Sequence, residues 1–163
     1  MAIINNKQKG VSLVELLVVM ALIITAIISL FAVFSFAIRT QAEKKAVYQA
    51  GFLAKEAMEV VRSIRDNTDW SVDGLGVLVM GSQYHLEQQG APAQWALLPN
   101  SQVIGDFTRE IVFNNARRDG ADNIIESGGV VDSDTKKATV TVSWTQRGDA
   151  NQVSIVGFFT NWQ

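Results

Sequence analysis

Cysteine is absent from this 163-residue chain, histidine occurs once, at His85, and proline twice, at Pro92 and Pro99. Without cysteine there is no disulfide framework, no thiolate metal site and no cysteine nucleophile. One imidazole is too little for a histidine-based metal centre. The lack of disulfides does not fix a compartment, because exported proteins can do without them. Excess charge of one sign is also missing: 14 Lys+Arg stand against 16 Asp+Glu, a formal net charge of −2. With no basic stripe to neutralise a run of phosphates, nucleic acid is not predicted as the main partner. No internal repeat is visible, and no nucleophile, base and metal set can be assembled. No catalytic residue, metal ligand or cofactor is therefore predicted.

What the chain does have is apolar residues, very unevenly placed. From Val11 to Ile38, 23 of 28 positions are apolar, and Leu16 to Ile38 carries no charge at all. The remainder has an ordinary globular composition, and the length fits one small domain with an appended segment. As a helix the uncharged stretch extends about 34 Å, against a hydrocarbon core of about 30 Å. It is longer than the apolar region of a secretory signal peptide, about 7–15 residues, and ends in Ala37-Ile38-Arg39 rather than at a small-residue cleavage site. A plain single-pass anchor remains open. The basic residues do not set its orientation, since Lys7 and Lys9 precede the stretch while Arg39, Lys44 and Lys45 follow it.

Glu15 does not suit a plain anchor. A carboxylate costs about 2.5–3.5 kcal/mol at mid-bilayer, less near an end, and so asks for a function and a partner. Its surroundings, Lys9-Gly10-Val11-Ser12-Leu13-Val14-Glu15-Leu16-Leu17-Val18, resemble the processing site of type IV prepilins and pseudopilins. In that class III signal peptide a short basic leader and a glycine precede a hydrophobic helix with glutamate fifth after the glycine. The resemblance covers about 30 residues. It implies that a prepilin peptidase cuts between Gly10 and Val11 on the cytoplasmic side and N-methylates Val11, where the family usually has phenylalanine. It further implies that Glu15 serves assembly, pairing with the terminal amine of a neighbouring subunit. The electrostatics agree. The new amine at Val11 is largely cationic at neutral pH, and at about 4 Å and an effective dielectric near 20 its attraction to a carboxylate is about 4 kcal/mol before desolvation. Glu15 also lies at the helix N-terminus, where the macrodipole favours an anion. Because Val11 and Glu15 are i,i+4, pairing within one chain is sterically open as well.

After Arg39 the apolar pattern becomes one-sided. Ala46/Val47, Ala50, Leu53/Ala54, Ala57/Met58, Val61 and Ile64 recur at spacings of three and four, predicting an amphipathic helix packed on a core. No proline interrupts Val11 to Arg65, whereas many prepilins carry one in the apolar half. Such a helix would span about 82 Å, and Asp66-Asn67-Thr68-Asp69 supplies a stop. Beyond it, Ala138 to Thr145 alternates apolar and polar residues as a half-buried strand. Gln146 to Asn151 reads as a hairpin loop and Gln152 to Thr160 as the partner strand. Phe107 to Phe113 is a weaker strand, with helix the competing assignment. Short strands are expected around Tyr84-His85-Leu86 and Trp95-Ala96-Leu97-Leu98, and a polar loop from Asn114 to Lys137. The fold class is thus α+β: a long N-terminal helix, membrane-spanning in its first half, on a small antiparallel β-sheet head, as the pilin resemblance also implies. The divisions are 1–10 (leader), 11–38 (membrane and filament-core half), 39–66 (amphipathic half) and 67–163 (head).

Chemistry in the head is sparse. Asp119, Asp122, Asp132 and Asp134 could suggest calcium, but their spacing matches no EF-hand pattern and a solvated loop is the better reading. His85 has no nucleophile or orienting acid beside it in sequence. Trp70, Trp95, Trp144 and Trp162 could form a carbohydrate platform, although the strand phase of Trp144 favours core packing. Arg117-Arg118 and Lys136-Lys137 read as solvated faces. Leu53-Ala54-Lys55-Glu56-Ala57-Met58-Glu59, followed by Arg62-Ser63-Ile64-Arg65-Asp66, resembles minor rather than major subunits. The missing cysteines depart from the disulfide-closed loop of many Gram-negative major pilins. The resemblance implies as partners other pilin or pseudopilin subunits in a helical filament, the prepilin peptidase, an inner-membrane assembly platform, and lipid before assembly. It implies a single-pass inner-membrane precursor with an extracytoplasmic head, then a surface pilus or periplasmic pseudopilus. The alternative is a single-pass anchor displaying an extracytoplasmic binding domain. The two readings separate at the mature N-terminus: mass spectrometry is expected to find Val11, and an intact Met1 on the working molecule would favour the anchor.

Overall fold

A computed structural model describes residues 12–162. Among the described residues the elements are one helix, α1 (Leu13–Asn67), a single 3-10 turn (Leu75–Val77), and seven strands. The strands are β1 (Gln83–Gln89), β2 (Gln94–Pro99), β3 (Gln102–Ile104), β4 (Phe107–Arg118), β5 (Ile124–Ile125), β6 (Val130–Gln146) and β7 (Asp149–Thr160). The architecture is α+β and pilin-like, a long apolar N-terminal helix followed by an antiparallel sheet. The chain divides into two compact units, one ending at Lys44 and the other starting at Lys45. In the first, Leu13 to Lys44 is helical throughout, and none of its most apolar 18-residue window is buried.

In the second unit the helix ends where the Asp66–Asp69 run predicts. The Asn67 side-chain amide donates to the Ser63 carbonyl (2.7 Å) and the Thr68 hydroxyl to that of Ile64 (2.7 Å), satisfying carbonyls that the last turn leaves open. Asp69 then gathers a turn, its carboxylate accepting from the Ser71 amide and its carbonyl from the Gly74 amide. The sheet runs β2-β1-β4-β6-β7, with β3 and β5 also paired to β4. Strand β4 is its spine. One edge pairs with β6 through twelve registered residues, and the other is shared by β3, β1 and β5 in turn.

Strand phase decides what is buried. Arg109, Ile111 and Phe113 of β4, Ala138, Val140, Val142 and Trp144 of β6, and Phe159 of β7 face inward. They meet Ala50, Ala54, Ala57, Met58, Val61 and Ile64 of α1 in one core with Trp70, Leu75, Tyr84 and Leu86. Three alanines keep the helix surface low over the sheet. At Gly157 a Cβ would stand 2.8 Å from the Met58 sulfur, so glycine opens room for that side chain.

Three expectations are refined. Phe107–Phe113 is a strand, extended to Arg118, because its alternate apolar residues bury on one side of a sheet whereas a helix would scatter them. The hairpin loop contracts to Arg147-Gly148, both at positive φ, and pairing resumes at Gln146↔Asp149. That is the backbone a two-residue hairpin turn requires. The predicted loop from Asn114 to Lys137 is corrected: β4 continues to Arg118, β5 intervenes, and β6 begins at Val130. The polarity there marks a sheet margin that bulges. Register slips between Asn115 and Ala116, so that Thr135 and Lys136 are both buried. Phe113, fully buried and edge-on to Tyr84 at 5.8 Å, anchors the core. Phe113→Ala is expected to cost about 3–5 kcal/mol, read by denaturant unfolding of the chain in detergent.

Candidate functional site

Glu15 occupies the first turn of α1 and is exposed. The Leu16 amide donates to the Ser12 carbonyl at 3.1 Å, so Ser12 opens the helix just ahead of it. Gly10 and Val11 lie outside the described residues. Along the apolar stretch two of the other polar side chains turn back on the helix. The Thr25 hydroxyl donates to Ala21 and Leu22 carbonyls (3.1 and 2.9 Å) and the Ser29 hydroxyl to Thr25 (2.8 Å). Hydroxyls satisfied in this way are compatible with an apolar surrounding. Glu15 is the sole charged residue from Ser12 to Ile38. Its neighbours Leu13, Val14, Leu16 and Leu17 are all more than half exposed. The segment is long and apolar enough to cross a membrane.

The head's polar residues are occupied structurally. Asp119 accepts from the Ala121 and Asn123 amides (2.8 and 2.9 Å) and from the Asn123 side chain. Those bonds, the Asn123 amide foremost, hold its carboxyl below the usual range. Asp132 takes the Arg118 guanidinium at 2.7 Å. Among the described residues no group of three His, Cys, Asp or Glu could hold a metal ion. His85, half-buried in β1, places Nδ1 3.1 Å from the Pro99 carbonyl. Trp144 and Trp70 are buried in the core, whereas Trp95 and Trp162 are exposed, so the four tryptophans do not make one platform. Arg65 lies over the Phe159 and Trp162 rings, at 5.6 and 5.9 Å from their centroids.

Two residues depart from the sequence reading. Lys136 was expected on a solvated face, but the bulge turns it inward. It donates to Asn115 at 2.6 Å, and burial pushes its ammonium pKa down against the pull of Asp134 and Asp132. Arg109 went unremarked and is buried, donating to the Leu53 carbonyl (3.2 Å), to Glu56 (3.1 Å) and to Gln102 (2.7 Å). Its place in the inward phase with Ile111 and Phe113 was the available signal. It ties α1 to β4 and β3 through charge-assisted bonds.

The Arg118–Asp132 pair gives a pH dependence. The guanidinium, first, and the Thr135 hydroxyl, second, hold the Asp132 carboxyl below its ordinary value. A depressed carboxyl stabilises the fold above the unfolded pKa of about 3.9, and that contribution disappears as pH falls through the lower folded value. Asp132→Asn is expected to flatten this part of the stability profile below about pH 4, measured by unfolding across an acid series.

A family model for the prokaryotic N-terminal methylation motif matches residues 5–36, the leader end and the apolar helix that carries Glu15. No curated protein and no solved structure was found to match the chain. The motif belongs to proteins that are structural rather than catalytic, and it implies assembly with other pilin subunits and processing by a prepilin peptidase. Residues 5–36 therefore carry the prepilin-type N-terminal signal, joined in this chain to a pilin-like α+β architecture.

Proposed function

We propose that this chain is a structural subunit, a minor pilin or pseudopilin, of a type IV pilus or a type II secretion pseudopilus. A prepilin peptidase removes residues 1–10 between Gly10 and Val11, and Val11 becomes the N-methylated terminus. Residues 11–38 hold the precursor in the inner membrane and then enter the filament core. Residues 39–66 carry the head, 67–163, on the extracytoplasmic side. An inner-membrane platform moves the subunit from lipid into a surface pilus or a periplasmic pseudopilus.

The observation that carries this reading is the matched motif together with a lone carboxylate in the first turn of an uncovered apolar helix. Leader removal lowers the charge from −2 to −4 by taking away Lys7 and Lys9, and creates one new cation, the terminal amine. An ammonium and a carboxylate that share a low-dielectric setting cost far less together than apart. Pairing between Glu15 of one subunit and the amine of the next sets an axial register, while side-chain packing of the apolar helices supplies cohesion. The resemblance of the 53–66 segment to minor subunits supports that assignment.

Glu15→Leu tests it. The variant is expected to insert and to be processed at Gly10, yet to be absent from sheared or purified filaments. Incorporation at the wild-type level would overturn the role given to Glu15.

A further inference from the structure

Trp95 stands in the inward phase of β2 and is nevertheless 37% exposed. It lies two residues before Leu97, which packs against the core opposite the buried Leu86. Side chains two apart on a strand share a face, so the indole belongs to the side of the sheet that α1 covers. Here the cover gives out, because α1 ends at Asn67. Between the last turn of the helix, the turn at Asp73 and the β1–β2 hairpin are two adjoining cavities of about 470 and 370 Å³. Ile64, Thr68, Gln94 and Trp95 stand in the walls of both. Each volume falls within the range of about 300–1,000 Å³ typical of small-molecule sites, which join an apolar floor to a few polar groups.

The chemistry of the walls narrows the ligand. Among the described residues no Lys, Arg or His lines either cavity, and Asp73 is the one carboxylate. The other polar side chains are amides and hydroxyls. Asn67 donates its amino group to the Ser63 carbonyl at 2.7 Å and leaves its Oδ1 open. Gln89 and Gln94 are paired across the hairpin, and their side chains make no hydrogen bond among the described residues. Side chains of this kind both donate and accept, so they complement a ligand whose own polar groups do both. The indole adds a flat apolar face of negative potential, suited to C–H groups. An anion finds no cation here, and a wholly apolar ligand would leave the amides without partners. We propose that this cleft binds a short neutral saccharide, one ring lying against Trp95 and its hydroxyls held by the surrounding amides and hydroxyls. The cleft lies wholly within the second compact unit, and binding there needs no filament.

The test titrates the full-length chain, in a detergent without a sugar headgroup, and reads calorimetric heat and tryptophan fluorescence. The neutral probes are maltotriose, cellotriose, mannotriose and N-acetylated chitotriose; trigalacturonate and trilysine are the charged ones. At least one neutral probe is expected to bind at millimolar concentration or below. Trp95→Ala should weaken that binding by roughly tenfold or more, as the loss of an aromatic anchor does. Gln94→Ala, at an exposed position, should weaken it several-fold with the unfolding midpoint unchanged, and it decides the matter if Trp95→Ala lowers that midpoint. Trp162→Ala removes an exposed indole outside the cleft and should leave the affinity as it was. Absence of binding by every neutral probe would overturn the proposal. So would wild-type affinity in the Trp95 and Gln94 variants, or tighter binding of trigalacturonate or trilysine than of any neutral probe.

Discussion

The side chains from Leu13 to Ile38 have to be kept out of water, and the rest of the chain is arranged around that requirement. Eighteen large apolar residues in that stretch are exposed in the isolated chain. At about 1.5–3 kcal/mol for each one fully withdrawn from water, the driving force is on the order of 30 kcal/mol or more. Among the described residues no packing takes it up. It can be met by lipid or by copies of the same helix, and one helix can pass from the first to the second without changing its fold. A carboxylate near the N-terminal end sets the two environments apart, because hydrocarbon offers it no cation whereas a polypeptide amine can.

The head solves the opposite problem, giving the second half of the same helix a permanent cover. Small residues make that cover close. Ala50, Ala54 and Ala57 let α1 settle onto β4, β6 and β7, and Gly157 leaves space for the Met58 side chain. Arg109 adds a directional tie from β4 to the helix backbone at Leu53 and to Glu56. Burying a guanidinium there is expensive, and its Nε finds no acceptor. For such a group the desolvation cost offsets much of the attraction, so it adds little net stability.

Legibility in the sequence followed the range of the interactions involved. The helix, its stop and its buried stripe depend on residues three and four apart, and the sequence pattern placed them closely. The processing signal is likewise local, so leader, glycine and glutamate spacing sufficed for the resemblance that the family model bears out. Less legible was the 114–137 stretch, where polar composition suggested a loop. Strand pairing with β4 and the Arg118–Asp132 contact outweighed that local preference. The outward place of Val47 was hidden for a related reason. That residue was grouped with the buried stripe, and only the sheet's position shows that it lies outside.

Taken by itself, the sequence determined that a long helix begins near the N-terminus, that its first half is too apolar for water, and that an α+β head follows. Those are consequences of composition and short-range periodicity, which act before any tertiary contact forms. The tertiary structure decided the order of the strands, the inward turn of Lys136 and Arg109, and which side of the helix stays open. Each depends on pairings between residues far apart in the chain, where register and bulge position set the direction of a side chain.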